Sequence, residues 1–163
     1  MTDSAFNPDT FLDQSTTEAG TRRPPINSGL EFLGVIGEPK ARNVQGKQDP
    51  SKNYVFCDIP ITLDLTTSPS EAQRVGQDRV TLRHSISIDF TESGALDWAP
   101  GKNRGLTIYR SVLDLNKPGQ TFSPRMLVGR IVRAKVKHRT NMEERDERGE
   151  PLKYDEIDMV TKA

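Results

Sequence analysis

Six Lys or Arg and no acid fall between Arg125 and Arg139, and the last four alternate as Arg133, Lys135, Lys137 and Arg139. On a strand, successive side chains point to opposite faces, so these four line one face as a basic stripe. Such a stripe can track a phosphate backbone, because each neutralised phosphate releases counterions. A second set is aromatic. Tyr54 and Phe56 share the polar face of one predicted strand, and Arg79 and Arg83 share that of the next. Aromatic and guanidinium planes side by side make a platform for bases, at about 1–3 kcal/mol per stacked base. Lys47 and Lys52, with Arg42 nearby, stand in a polar loop that could close over a strand. A plainer reading competes with this one. Glu156 and Asp158 oppose the stripe and could pair with Arg133, Lys135 and Lys137, at about 0.2–1 kcal/mol each. Tyr54 and Phe56 could equally be covered by a helix or a tail. Aromatics are only 6 % of the chain, which is meagre for a protein that stacks bases.

Other chemistry finds less support. The candidate metal ligands are Cys57, His84 and His138, without Cys-x-x-Cys or His-Glu-x-x-His spacing, so no metal is expected. Cys57 and His84 lie on apolar strand faces, where a buried thiol and a hydrogen-bonded core histidine suffice. Gly94 and Gly101-Lys102 are too far apart for a phosphate loop, and Asn103 stands where a magnesium-binding Ser or Thr is needed. There is no Gly-x-Ser-x-Gly, and a thiolate at Cys57 would be disfavoured in a strand interior. The acids of 143–158 would need a cleft and divergent pKa values to act as an acid–base pair. The expectation is a protein that is not an enzyme and uses no cofactor.

Composition sets the frame. The chain has 163 residues, which favours one domain, and 23 Lys+Arg against 23 Asp+Glu excludes a polybasic protein. The hydrophobic fraction is 33 % and mean hydropathy is −0.66, so polar loops or a disordered segment accompany a modest core. No apolar run reaches the length of a membrane span, so no membrane partner is expected. Met1 to Gly20 lacks the basic and apolar regions of a secretory signal. A single cysteine suits a reducing compartment, so a cytoplasmic location is expected.

The elements that would position these residues can be placed by periodicity. Residues 1–28 read as a flexible acidic tail, with Asp3, Asp9, Asp13 and Glu18 before any basic residue and Pro24-Pro25 closing it. Phe6, Phe11 and Leu12 within it could dock or be captured by a partner. Strands are predicted over 30–44, 54–65, 79–90, 130–139 and 153–162. Gly37 and Pro39 call for a bend in the first, and Pro60 for an edge or bulge in the second. A helix follows Asn103 as N-cap, with Leu106, Tyr109, Val112, Leu113 and Leu115 as its apolar stripe. A helical turn is possible at Ser70–Val75, and another starts at Ser123-Pro124. Trp98 reads as a packing anchor. Long loops are expected over 43–53 and 140–152. The predicted fold is mainly β: an OB-like five-stranded Greek-key barrel over 29–163, with one helix between strands 3 and 4. Another antiparallel barrel or sandwich is the alternative.

The chain also resembles a family of small phage-encoded OB-fold proteins taken to bind single-stranded DNA. The resemblance spans roughly 28–163. It lies in Leu115-Asn116-Lys117-Pro118-Gly119-Gln120-Thr121-Phe122-Ser123 after the helix, then Met126-Leu127-Val128-Gly129 and Val136-Lys137-His138-Arg139. Tyr154-Asp155-Glu156-Ile157 and the terminal Thr161-Lys162-Ala163 continue it, and Phe6-Asn7-Pro8-Asp9-Thr10-Phe11-Leu12 extends it into the tail. It implies a non-enzymatic role in phage DNA replication or recombination, in the host cytoplasm. Many such proteins carry a C-terminal acidic run that recruits replication enzymes, whereas this chain ends Val160-Thr161-Lys162-Ala163. The N-terminal tail could recruit replication or recombination proteins instead. Zero net charge and few aromatics leave room for another function, a virion or assembly protein using the barrel as a protein-binding scaffold.

Overall fold

A computed structural model describes residues 22–163, together with Asp9, Asp13, Ser15 and Thr17. Its elements run β1 (Glu31–Ile36), β2 (Lys40–Gln45), β3 (Asn53–Asp64), α1 (Pro69–Val75), β4 (Arg79–Ile88), α2 (Arg104–Val112), a 3-10 turn (Pro124–Leu127), β5 (Ile131–Arg145) and β6 (Pro151–Lys162). The architecture is mainly β, an open six-stranded antiparallel sheet with two helices.

Six strands stand where five were expected, because the first segment is split. β1 and β2 lie end to end along one edge of β3, Gly34–Ile36 facing Leu63–Ile61 and Lys40–Gln45 facing Asp58–Asn53. The break over Gly37–Pro39 sits opposite Pro60, whose carbonyl accepts from the Gly37 N–H at 2.7 Å. A residue's N–H and C=O point to the same side of a strand. The donor that Pro60 lacks therefore falls where the neighbouring strand is already interrupted. That is how a proline sits in a strand paired on both sides, rather than at the edge its chemistry suggests. The second helix, α1, forms where the sequence suggests only a turn. Pro69 starts it, and Gly76 stops it in the left-handed conformation, at φ 79°.

The alternation of β3 and β4 drives one core. Cys57, Ile59, Ile61 and Leu63 pack with Val80, Leu82 and Ile86, and with Phe32, Ile36, Val132, Ala134 and Val136. On β6 the alternation switches. Lys135 pairs with Met159 but Val136 pairs with Ile157, so Asp158 is an extra, bulged residue. Val160 is therefore buried with Ile157, and Met159 is exposed, the reverse of an unbroken period of two. Helix α2 packs on β4 and β6 through the fully buried Leu106 and Tyr109. Gly105 permits that approach, since a Cβ there would lie 2.8 Å from Ile86 Cβ. The two outermost strands, β4 and β6, also approach one another.

Residues 22–28, assigned by sequence to the flexible tail, are tied to the body. Ile26 is fully buried. Its N–H donates to Asp155 Oδ1 at 2.9 Å, and Asn27 N–H donates to Glu71 Oε1 at 2.7 Å. Arg23 reaches Asp155 at 2.6 Å, while Arg74 bonds both Glu71 and the Pro25 carbonyl. The acidic residues Asp3 and Glu18 and the apolar Phe6, Phe11 and Leu12 lie outside the described residues. The predicted loops shrink as well. β2 and β3 pair to Gln45–Asn53, leaving 46–52, and β5 and β6 pair out to Arg145–Pro151, leaving only 146–150. Among the described residues no helix is long and apolar enough to cross a membrane.

Candidate nucleic-acid interface

β3 sends Tyr54, Phe56 and Asp58 to the face opposite the core. Across the ladders Arg42 faces Phe56 on one side, while Ser85 faces Asp58 and Arg83 faces Pro60 on the other. The Asp58 carboxylate is the hub. Arg42 Nε donates to its Oδ2 at 2.7 Å, the Ser85 hydroxyl donates to Oδ1, and Arg83 Nη1 stands 3.6 Å from Oδ2. Burial acts to raise the Asp58 pKa, but the Ser85 and Arg42 hydrogen bonds and the Arg83 and Arg42 charges outweigh it. The carboxyl is held below its ordinary range. Thus clamped, Arg42 lays its guanidinium 5.1 Å from the centre of the Phe56 ring, within cation–π range. Tyr54, 50 % exposed, extends the same face toward the 46–52 turn. Gly46 shapes that turn, because a Cβ there would sit 2.5 Å from the Asp49 carbonyl and 3.3 Å from Tyr54 Cε2. Of the turn's two lysines, Lys52 lies 4.0 Å from Asp49, and Lys47 has no acidic partner among the described residues.

The sequence grouped Arg79 with this platform, and the register separates them. The β3–β4 ladder runs from Val55–Ile88 to Asp64–Arg79, so Arg79 is about 34 Å along the strand from Tyr54 at ~3.4 Å per residue. Arg79 faces Asp64 instead. Gly34 faces Leu63 on one side and Val132 on the other, which puts Arg79 at the end of the sheet where Arg133 lies.

The stripe on β5 keeps its predicted alternation, with Val132, Ala134 and Val136 buried and the cations on the other face. Its members differ. Lys137 lies 3.6 Å from Asp158, as the plainer reading expects, and Arg139 stands 5.8 Å from the Tyr154 ring centre. Arg133 faces Leu33 and Thr161, and Lys135 faces Glu31 and Met159. Among the described residues neither has a carboxylate within 4.0 Å, although Glu31 is a direct cross-strand neighbour of Lys135. Glu156 faces Lys137 rather than Arg133.

The buried titratable groups have structural partners. His84 Nδ1 is 2.7 Å from the Tyr109 hydroxyl. Burial, and secondarily the Lys137 charge, lowers the His84 pKa, and burial pushes Tyr109 up. Burial and the adjacent Asp58 charge raise the Cys57 thiol, which opposes thiolate chemistry. Among the described residues no cluster of His, Cys, Asp and Glu is placed to hold a metal. Asn103, expected as a helix cap, occupies the N-cap position, but its side chain bonds Asp89 and Asp97 instead. The sequence reading missed Arg42, Asp58 and Ser85 as a working unit. Its only signal was an aspartate flanked by arginine-bearing strands. Protein-family models, characterised proteins and solved structures yield no match to this chain.

Proposed function

We propose that the protein binds single-stranded DNA without strict sequence preference, as a non-enzymatic factor in DNA replication or recombination. The observation that carries this reading is the β2–β3–β4 face. There an exposed tyrosine shares a solvent-facing surface with a guanidinium that a buried carboxylate holds beside a phenylalanine ring. Bases would stack on Tyr54 and on the Arg42–Phe56 pair. Arg133 and Lys135, with Arg79 and Arg139, would hold phosphates, and Lys47 and Lys52 would approach the strand from the turn. The fold suits such use as an OB-like barrel. β1 and β2 would act as one bent strand, and the β4–β6 approach over α2 would close the barrel.

Titrating a fluorescent oligo-dT at several salt concentrations, with a duplex control, tests the reading. Preferential binding to the single strand, weakening linearly in log salt, supports it. Equal affinity for duplex, or no binding at low salt, overturns it. One observation favours the assembly-scaffold alternative. Val35 and Ile131 are cross-strand neighbours at 47 % and 52 % exposure, an apolar pair open to a protein partner. A stable oligomer without DNA affinity would identify that function.

A further inference from the structure

We propose that the notch formed by Trp98, Arg110 and Phe122 is a second contact for the bound strand, taking a phosphate on Arg110 and a base against Trp98. This rests on the single-strand reading above and extends its path beyond the β3 face. Placement comes first. Val55 pairs with Ile88, so Asp89 leaves β4 at the end of the sheet where Tyr54 lies. The Asp97 N–H donates to the Asp89 carbonyl at 3.0 Å, which holds Trp98 close to that end. Asn103 fixes the loop. It is almost fully buried and adopts a left-handed φ of 45°. Its Nδ2 donates to the Asp89 and Asp97 carbonyls, both at 2.8 Å.

The notch is built for an anion beside a π-face. The Arg110 guanidinium carbon is 4.6 Å from the Trp98 ring centre and 4.7 Å from that of Phe122. The two rings meet edge-on at 6.0 Å. Arg110 Nε is spent on the Leu115 carbonyl at 3.2 Å. Its two Nη groups carry no hydrogen bond, and no carboxylate lies within 4.0 Å among the described residues. A guanidinium is weakly hydrated and presents a planar fork, so it can take a phosphate oxygen pair.

Packing alone does not account for the surroundings. Trp98 remains 42 % exposed and forms the ridge between two open grooves of about 530 and 450 Å³. Lys117 lines the first and Lys102 and Arg104 the second, and no carboxylate lines either. Gln120 also lines the first groove.

Trp98 is the chain's single tryptophan, so its emission reports on this site directly. The test titrates full-length protein with oligo-dT of about 16 nucleotides, reading tryptophan quenching alongside strand anisotropy. Quenching should follow binding, and Arg110→Gln should lower the salt slope by about 0.7, one phosphate contact on a single strand. Lys117→Gln provides the second variant, since that exposed side chain lines the first groove and has no packing to lose. It should weaken binding with an unchanged melting temperature. Strand binding without quenching, and indifferent to Arg110→Gln and Lys117→Gln, overturns the notch and leaves the function reading standing. Absence of strand binding overturns both. Quenching by an acidic peptide and not by oligo-dT overturns the assignment to nucleic acid.

Discussion

The β3 face and the β5 stripe both carry arginines, and they hold them differently. On β3, Asp58 binds Arg42 and stands beside Arg83, so two cations share one buried carboxylate. Much of their charge is already answered, and what they offer a ligand is shape. On β5, Arg133 and Lys135 have no carboxylate within 4.0 Å among the described residues, although Glu31 lies across from Lys135, and what they offer is charge less tightly answered than on β3. Stacking depends weakly on salt, whereas phosphate contact weakens steeply as salt rises. The two regions should therefore contribute separable parts of one affinity.

The largest effect should come from Tyr54→Ala. Losing one stacked base costs about 1–3 kcal/mol, or about 5- to 150-fold in Kd, with little change in salt slope. Anisotropy titration at two salt concentrations checks this. A change of slope as large as the change in affinity would break the distinction between the regions. Next comes the double variant Arg133→Gln with Lys135→Gln, which should lower the slope by about 1.4, two phosphates at ~0.7 each. Lys137→Gln should do less, because Asp158 already pairs with Lys137. If Lys137→Gln matched the double variant, internal pairing would not be what ranks the stripe.

Asp58→Asn sharpens the contrast by making the β3 face resemble the stripe. With the carboxylate neutral, Arg42 is no longer held beside Phe56 by charge, and Arg83 is freed. Affinity should fall by a few-fold at high salt while the slope steepens. An unchanged slope would mean that Asp58 does not restrain those arginines.

The smallest effects concern pH. Asp58 has a lowered pKa in the folded chain. Its contribution to stability is thus full above about pH 4 and is lost as pH falls through the lowered value. Glu71 behaves likewise, held down first by its Arg74 hydrogen bond. The His84 pKa is also lowered, so its contribution is full above about pH 6.5 and is lost as pH falls below that. The melting temperature should drop in two stages. His84→Gln, which retains an acceptor for the Tyr109 hydroxyl, should flatten the upper stage and spare the lower. A single stage below pH 4 in the unaltered chain would show that His84 protonates freely.

Local periodicity carried the parts of this fold that depend on near neighbours. The inward sets of β3 and β4 and the outward stripe of β5 were readable because their alternation is unbroken. What long-range pairing decides was not readable. The Asp158 bulge reverses the face of Val160, and only the opposing strand determines where it falls. Ile26 looks like part of a polar tail, and it is buried because Asp155 and Glu71, far along the chain, satisfy the backbone beside it. Arg79 and Arg83 are equivalent by alternation, yet their distance along β4 puts one opposite Asp64 at the far end of the sheet and the other beside the platform. The clamp at Asp58 joins three strands, and no spacing within one segment reveals it.

The most direct test measures the salt slope and Kd for oligo-dT on three proteins: the unaltered chain, Tyr54→Ala, and Arg133→Gln with Lys135→Gln. The account predicts that the first substitution shifts Kd and leaves the slope, while the second reduces the slope. Binding that neither substitution alters, or that prefers duplex, would contradict it.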